Sequence, residues 1–370
     1  MIVCVAVVTG FKKNIREKLF AFTGHVHVSP FNGKSSTFTE APIYLDQKLI
    51  AQTKKLPYVT QVAPFAERPV ILQSKGKMEG VELKGLDKSY RFSGQLEFTG
   101  KPIDYSDTAY SRQIILSQTV ASKLDIGVGD SLYIQFFSKN TAPRIRKVKV
   151  AGFFHSGLDE VDKVFALCDL RMLQHINQWS ADSINAYQVE LSNEAFADSV
   201  SNLIHYDIIN PPLESYTSVE NYQSVFDWLN LQSLNGQILL IIMAIVAIIN
   251  LGTILLILIV DRAAMIGLFK AMGMSIGGII KIFLSLGSYI SLAGVILGNV
   301  VGLTLCYLQY QFHLIKLPEE TYFMRYAPIE ITWWQIAIID GGCLAVFVLF
   351  ILLPSLYILR IQPSRVLQFK

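Results

Sequence analysis

The sequence predicts an α+β extracytoplasmic domain followed by an α-helical transmembrane domain. Hydrophobic residues make up 52% of the 370 positions and charged residues only 16%, and the mean hydropathy is +0.40. Soluble domains are about a quarter charged. The shortage is local. Residues 10–235 carry an ordinary mixture of Lys, Glu, Asp, Ser and Thr, whereas 236–370 is mostly Ile, Leu, Val, Gly and Ala. Such a break in composition separates a water-solvated domain from a lipid-solvated one.

Three segments are long enough to cross a bilayer core, which takes about 20 apolar residues. They are 236–260, without a charge; 279–308, with Lys281 near its start; and 334–359, with Asp340 as its one charge. A bias of Lys and Arg toward the cytoplasm orients them. Segment 261–278 with Lys281, and the tail 360–370 with Arg360, Arg365 and Lys370, are predicted to be cytoplasmic; 309–333 lies outside with the large N-terminal domain. Trp333, Trp334, Tyr322 and Tyr326 suit the outer interface.

Met1–Val8 is apolar but too short to span. It reads as a buried strand or as the remnant of a first membrane helix. The second is preferred because it carries the following domain across the membrane, and it makes a fourth, N-terminal span truncated at Met1. The external domain then covers 9–217. Phe11, Ile15 and Leu19 fall on one face of a helix, with Lys12, Lys13, Arg16 and Lys18 around it. Strands are predicted at His25–Val28, 59–65, 68–72, 78–84, 113–116, 131–137, 144–154, 163–166 and 186–191; helices are predicted at 44–55, 117–124, 168–177 and 194–204. Gly127 and Gly129 turn the chain into the strand that begins at Ser131. Thr217 with Glu220 forms a capping box, from which one stalk helix, 218–235, runs on into the first span.

The chemistry that can be excluded is informative. A net charge of +3 is too small to point to nucleic acid, and Cys168 is the one cysteine of the external domain. His25 and His27 lack a third ligand at metal spacing and read as a polar strand face. Gly33-Lys34-Ser35 resembles the end of a phosphate-binding loop, but the glycine required five residues earlier is Val28. Catalytic, cofactor and metal sites are therefore not predicted. In the second span Gly294, Gly298 and Gly302 recur every four residues and predict a helix-packing seam, within the chain or with a second subunit. Asn250 and Asn299 are read as interhelical hydrogen-bond partners, and Asp340 as reaching water.

The loop after the first complete span bears on function. It contains Asp261-Arg262, Met265, Ile266-Gly267, Leu268-Phe269, Lys270-Ala271-Met272-Gly273 and Ser275. This pattern resembles the corresponding loop of ABC transporter permeases of the FtsX/MacB/LolC-LolE superfamily. Met265 departs from it, since the family usually has Glu there. The ending is also similar, with Pro354 in the last span and then Arg360-Ile-Gln-Pro363-Ser-Arg365-Val-Leu367. Val7-Val8-Thr9-Gly10-Phe11-Lys12 and Leu317-Pro318-Glu319-Glu320-Thr321-Tyr322 most resemble the lipoprotein-releasing LolC/LolE branch.

The resemblance extends from Met1 to Lys370. It implies a multi-pass protein of the bacterial inner membrane with its large domain in the periplasm. ATP and Mg would be held by a separate ABC ATPase that contacts segment 261–278. A second permease subunit, identical or homologous, would complete the transporter, with a lipoprotein cargo and a periplasmic carrier as further partners. On this view Met265, Leu268, Phe269 and Met272 form an exposed apolar knob for the ATPase. The alternatives are a MacB-like efflux subunit, an FtsX-like regulator of cell-wall hydrolases, or a membrane-anchored sensor or scaffold without ATP coupling.

Overall fold

The computed structural model describes residues 1–31, 42–92, 96–107, 109–138, 141–318, 322 and 324–360. Two compact units emerge. One comprises Met1–Lys13, Trp228–Lys316 and the chain from Tyr326; the other comprises Asn14–Asp227 and Leu317–Arg325. The division falls inside two helices, α1 (Ile2–Thr23) and, much later, Gln223–Asp261. Met1–Val8 is thus the start of a helix and not a strand. The Gly33-Lys34-Ser35 segment, residues 319–321 of the outer-loop motif and the C-terminal 361–370 motif lie outside the described residues.

The larger unit is a mixed sheet with helices packed on it. After α1 come β1 (Val26–Pro30), β2 (Ile43–Tyr44), α2 (Gln47–Thr53), β3 (Val59–Ser74) and β4 (Lys77–Leu86). Next are β5 (Glu97–Gly100), β6 (Gln113–Ser117), α3 (Gln118–Leu124), β7 (Ser131–Ser138) and β8 (Thr141–His155). The chain continues through α4 (Asp159–Asp162), β9 (Phe165–Asp169), α5 (Leu170–Asn177), β10 (Ser183–Ile184) and β11 (Ala186–Leu191). It closes with α6 (Ala197–Leu203), β12 (Leu213–Thr217) and α7 (Ser218–Asn221).

Along the main sheet the order is β12-β1-β11-β3-β4-β9-β6-β8-β5, with β7 paired to both β3 and β8. The β4–β9 and β6–β8 pairs are parallel, and the rest are antiparallel. Helices α3, α5 and α6 cover the sheet through Val120, Leu124, Leu173, Ile176 and Val200, all buried in the core with Leu72, Leu83, Ile114 and Leu116.

Several boundaries differ from the predicted ones, each for a local reason. Segments 59–65 and 68–72, read as two strands around Pro69, form the single strand β3. One edge of β3 pairs β11 up to Phe65 and β7 from Val70, so Pro69 lies between two partners where its missing N–H costs nothing. The intervening Glu67 N–H donates instead to Asn185 Oδ1 at 3.0 Å. Cys168 belongs to β9 and not to the following helix, because Asp169 caps α5 by accepting from Arg171 N–H at 3.0 Å. In the same way Asp46 caps α2, leaving Tyr44 in a strand.

The stalk differs as well. Thr217 accepts from Glu220 N–H at 3.3 Å, but α7 ends at Asn221. Tyr222 leaves helical geometry (φ −108°, ψ 42°), and its carbonyl accepts from Val225 and Phe226 N–H to begin a new helix.

That helix is α8 (Gln223–Asp261), 39 residues and about 58 Å at 1.5 Å per residue. It is followed by α9 (Ala263–Ala271), α10 (Ile276–Phe312) and α11 (Trp333–Arg360). From Trp228 to Val260 α8 holds no charged residue, and it is apolar all round: Ile241 and Ile249 are 60% and 62% exposed. A helix of this kind is stable in lipid, not in water. By length and composition α8 and α10 qualify to cross a membrane, and Trp333–Val346 within α11 is a shorter apolar stretch. Leu116 sits fully buried in β6 between β8 and β9. Leu116→Ala should cost about 2–5 kcal/mol, seen as faster hydrogen exchange of β6, β8 and β9 amides with α10 amides unchanged.

Candidate functional site

Helix α9 is held by its two ends. Arg262 breaks α8 from α9 (φ −102°, ψ 14°). At the other end Gly273 adopts φ +84°. There Gly273 N–H donates to the Lys270 carbonyl at 3.1 Å and Met274 N–H to the Phe269 carbonyl at 3.0 Å, the paired bonds of a Schellman cap. Two residues on, Ser275 Oγ accepts from Gly278 N–H at 3.3 Å and starts α10. The predicted Lys270–Ser275 motif is therefore the chemistry of a helix stop followed by a helix start.

Packing then decides which side of α9 remains available. Ile266 is fully buried against Ile259 of α8 and Ile279 of α10, with Met265 and Phe269 packed on the same cluster. Gly267 is buried too. This corrects the predicted knob, since Met265 and Phe269 are half-buried fasteners. The exposed apolar residues are Leu268 (50%) and Met272 (75%), with Asp261, Arg262 and Gly273 exposed around them and Lys270 half-buried.

Among the described residues, the predicted glycine stripe does not make the tightest contacts. No atom lies within 4 Å of a Cβ placed on Gly294 or Gly298, and Gly302 meets Ile2 at 3.6 Å. All three line a cleft of about 740 Å³ bordered by α1, α8, α10 and α11. Closer approaches occur at Gly10 and Gly236, where such a Cβ would come within 2.8 Å of the Pro328 carbonyl oxygen and 2.7 Å of the Val8 side chain. These glycines were missed because neither belongs to a repeat. Asn299 Nδ2 donates to Asp340 Oδ2 at 2.7 Å, so Asp340 receives a helix–helix hydrogen bond.

In the α/β unit, α1 arrives beside the place where the chain leaves. It ends at Gly24 (φ +74°). Ser218 Oγ donates to the Gly24 carbonyl at 2.7 Å, Ser218 N–H donates to the His25 carbonyl at 2.9 Å, and His27 Nε2 shares a 3.1 Å bond with Ser218 Oγ. His25 stacks on Phe20 and its Nδ1 accepts from Leu191 N–H at 3.2 Å. The two histidines thus serve different partners, and among the described residues no group of His, Cys, Asp and Glu is arranged to hold a metal.

Behind this junction lies Lys84, 1% exposed. Its Nζ donates to Gln188 Oε1 at 2.9 Å and to the Phe22 carbonyl at 3.4 Å, with Glu67 Oε1 at 3.5 Å. The Phe65 and Phe22 rings stand 4.6 and 5.0 Å away. Burial pulls the Lys84 ammonium below the usual lysine range, opposed by Glu67, Glu82 and Glu190. Burial pushes Glu190 up to about 7, with Lys84 opposing; it also raises Glu82, helped by Glu67. His25 and His27 move the other way, lowered to about 4 and about 3 by burial first and then by Arg16 and Lys84 respectively.

The apolar helices, the capped α9 between two of them and the α/β domain between α1 and α8 define an integral membrane protein with an inserted domain. Residues 1–205 match the family described as MacB-like periplasmic core domain, and residues 237–363 the FtsX-like permease C-terminal family. The chain belongs to this family: it is an FtsX-like ABC transporter permease, a membrane protein with a MacB-like periplasmic domain. Among similar proteins, the lipoprotein-releasing system transmembrane protein LolC of Xylella fastidiosa (strain Temecula1 / ATCC 700964) is 25% identical over 100% of this chain and 90% of its own length. LolE of Haemophilus influenzae is 21% identical over 99% and 90%. The crystal structure of the periplasmic region of MacB from Actinobacillus actinomycetemcomitans aligns at 15% identity over 55% of this chain and 92% of that one, with a TM-score of 0.37.

The buried glutamates and histidines set opposing pH dependences. A carboxyl raised in the folded state contributes stability that is complete below about 4.5 and lost as pH rises through about 7. A histidine lowered in the folded state contributes stability that is complete above about 6.5 and lost as pH falls toward 4 or 3. Between 4.5 and 6.5 the two trends oppose each other. Glu190→Gln should therefore raise the melting temperature at pH 8, leave it nearly unchanged at pH 4.5, and steepen the gain in stability from pH 4.5 to 6.5. Differential scanning fluorimetry across that range reads all three.

Proposed function

We propose that this chain is the permease subunit of a mechanotransmitting ABC transporter that extracts lipoproteins from the inner membrane and hands them to a periplasmic carrier. The observation that carries the reading is α9: a short helix clamped between the ends of two membrane helices, with Leu268 and Met272 turned outward. Such a helix suits a groove on a partner. The ABC ATPase would bind it from the cytoplasm and supply the ATP and Mg chemistry.

Because Ile266 joins α9 to both α8 and α10, a push on α9 is delivered to both helices. Helix α8 is unbroken from Gln223 to Asp261 and passes into the periplasmic domain between Trp228 and Asp227. A displacement at its cytoplasmic end would travel along it as along a rod. The lipoprotein assignment is supported by LolC and LolE relatives that match nearly the whole chain.

In this reading α8, α10 and α11 are the three complete spans, and the apolar start of α1 lies in the bilayer beside them. Lys and Arg near 261–281 favour the cytoplasmic side for α9. A second permease subunit, identical or homologous, would complete the transporter. Gly294 and Gly298, with open space above them, are available to it.

Co-purification of the ATPase tests the reading. Leu268→Asp with Met272→Asp alters only exposed side chains and should weaken ATPase recovery by about tenfold or more, the loss expected when interface anchors worth about 1.4 kcal/mol are removed. Gly267→Trp, at a buried position, should uncouple ATP hydrolysis from lipoprotein release. Recovery of a sensor or scaffold without any ATPase, or full release activity in both variants, would sink the proposal.

A further inference from the structure

Beside the chain that follows β4, the periplasmic domain contains a cavity of about 380 Å³, within the about 300–1,000 Å³ typical of small-ligand sites. Its wall is largely aromatic, with Tyr90, Phe92, Phe98, Tyr105 and Phe153 joined by Ile103. Phe92 meets Tyr90 at 4.7 Å and Phe98 at 5.2 Å between ring centroids. Both tyrosine hydroxyls are already engaged: Tyr90 accepts from Gln188 Nε2 at 2.6 Å, and Tyr105 donates to the Leu86 carbonyl at 3.4 Å. The interior is therefore mostly rings and methyl groups, which favours an apolar guest.

The rim is of opposite character. Lys88, Arg91 and Lys101 line it and are exposed. Among the described residues none of the three side chains has a hydrogen-bond or carboxylate partner. Asp87, the acid on the same lining, is turned to Ser89, whose Oγ lies at 2.6 Å and N–H at 3.2 Å. Nearby Glu97 faces Arg325 at 3.9 Å. Three unpaired cations around an apolar hole call for a molecule with an anionic head and an apolar chain.

Two chain segments beside the cavity lead directly into apolar helices. Phe92 stacks on Phe22, in the last turn of α1, at 6.5 Å. Arg325 belongs to the segment between α10 and α11. The abundant anionic amphiphile near such helices is membrane lipid. We propose that this cavity binds an anionic phospholipid, one acyl chain among the aromatic rings and the phosphate against Lys88, Arg91 and Lys101. The site stands whether or not the chain releases lipoproteins.

The full chain is placed in phosphatidylcholine nanodiscs doped with photoreactive phosphatidylglycerol, or with photoreactive phosphatidylcholine carrying the same chain. Adducts are then mapped by peptide mass spectrometry. Phosphatidylglycerol should label peptides within 86–105 about fivefold or more over phosphatidylcholine, since an anionic head gains at a basic rim and a zwitterionic one does not. Lys88→Glu/Arg91→Glu/Lys101→Glu should reduce that labelling to the phosphatidylcholine level. Lys147→Glu/Lys149→Glu, exposed on β8, should leave it unchanged. Ile103→Trp, which fills the cavity, should abolish labelling by both lipids; if it unfolds the domain, the surface triple variant still decides. Equal labelling by the two lipids, preference retained in the triple variant, or labelling by a photoreactive fatty acid but not by phosphatidylglycerol overturns the proposal.

Discussion

The antiparallel pairing of β1 with β12, Val26 opposite Thr217, is the constraint on which the rest of the architecture depends. It places the end of α1 beside the beginning of α7, and the Gly24, Ser218 and His27 hydrogen bonds close that junction. The domain thus begins and ends on neighbouring strands, so both helices that join it to the other unit attach at one place. Within the α/β unit Phe20 of α1 meets Phe226 of α8 at 5.8 Å, and the Arg16 guanidinium lies 5.4 Å from the Phe226 ring. Within the helical unit Phe11 meets Trp228 at 5.7 Å.

Lys84 stiffens that junction at a cost. Burying an ammonium is unfavourable unless it is paired and hydrogen-bonded, and here Gln188, the Phe22 carbonyl, Glu67 and two aromatic faces share the task. Since the Phe22 carbonyl is at the C-terminal end of α1, the ammonium also meets the negative end of that helix. Gln188 continues the contact to Tyr90, in the wall of the aromatic cavity. The charge, the helix end and the cavity are therefore joined by direct hydrogen bonds.

In the helical unit several specific contacts stand out among the described residues. Gly10 permits close backbone approach and Gly236 makes room for the Val8 side chain, Asn299 and Asp340 supply a polar fastening, and the Ile259, Ile266 and Ile279 cluster holds the α9 corner. Gln309 adds another by accepting from Ile315 N–H at 2.9 Å and donating to the Ala327 carbonyl at 3.0 Å, which orders the turn after α10. Most of the remaining apolar surface is left to lipid.

Much was legible in the chain itself because the signals are local. A run without charge from Trp228 to Val260 reports its solvent. Thr217 as a cap, Gly273 followed by Ser275, and the two-residue alternation of Ala186–Leu191 report geometry set within a few residues. The segment that holds α9 was readable through its resemblance to the corresponding loop of FtsX-like permeases. Its outward face was not: Met265 and Phe269 look as exposed as Leu268 until α8 and α10 close on them. Only tertiary structure decided the partner change that keeps β3 whole past Pro69, the bond between Asn299 and Asp340, the burial of Lys84 and the importance of Gly10 and Gly236. Each depends on which distant backbone comes within a few ångströms, and a pattern of residue types along one segment does not encode that distance. Composition along the chain thus established its two solvents, membrane and water, while the fold decided which residues join the parts that lie in them.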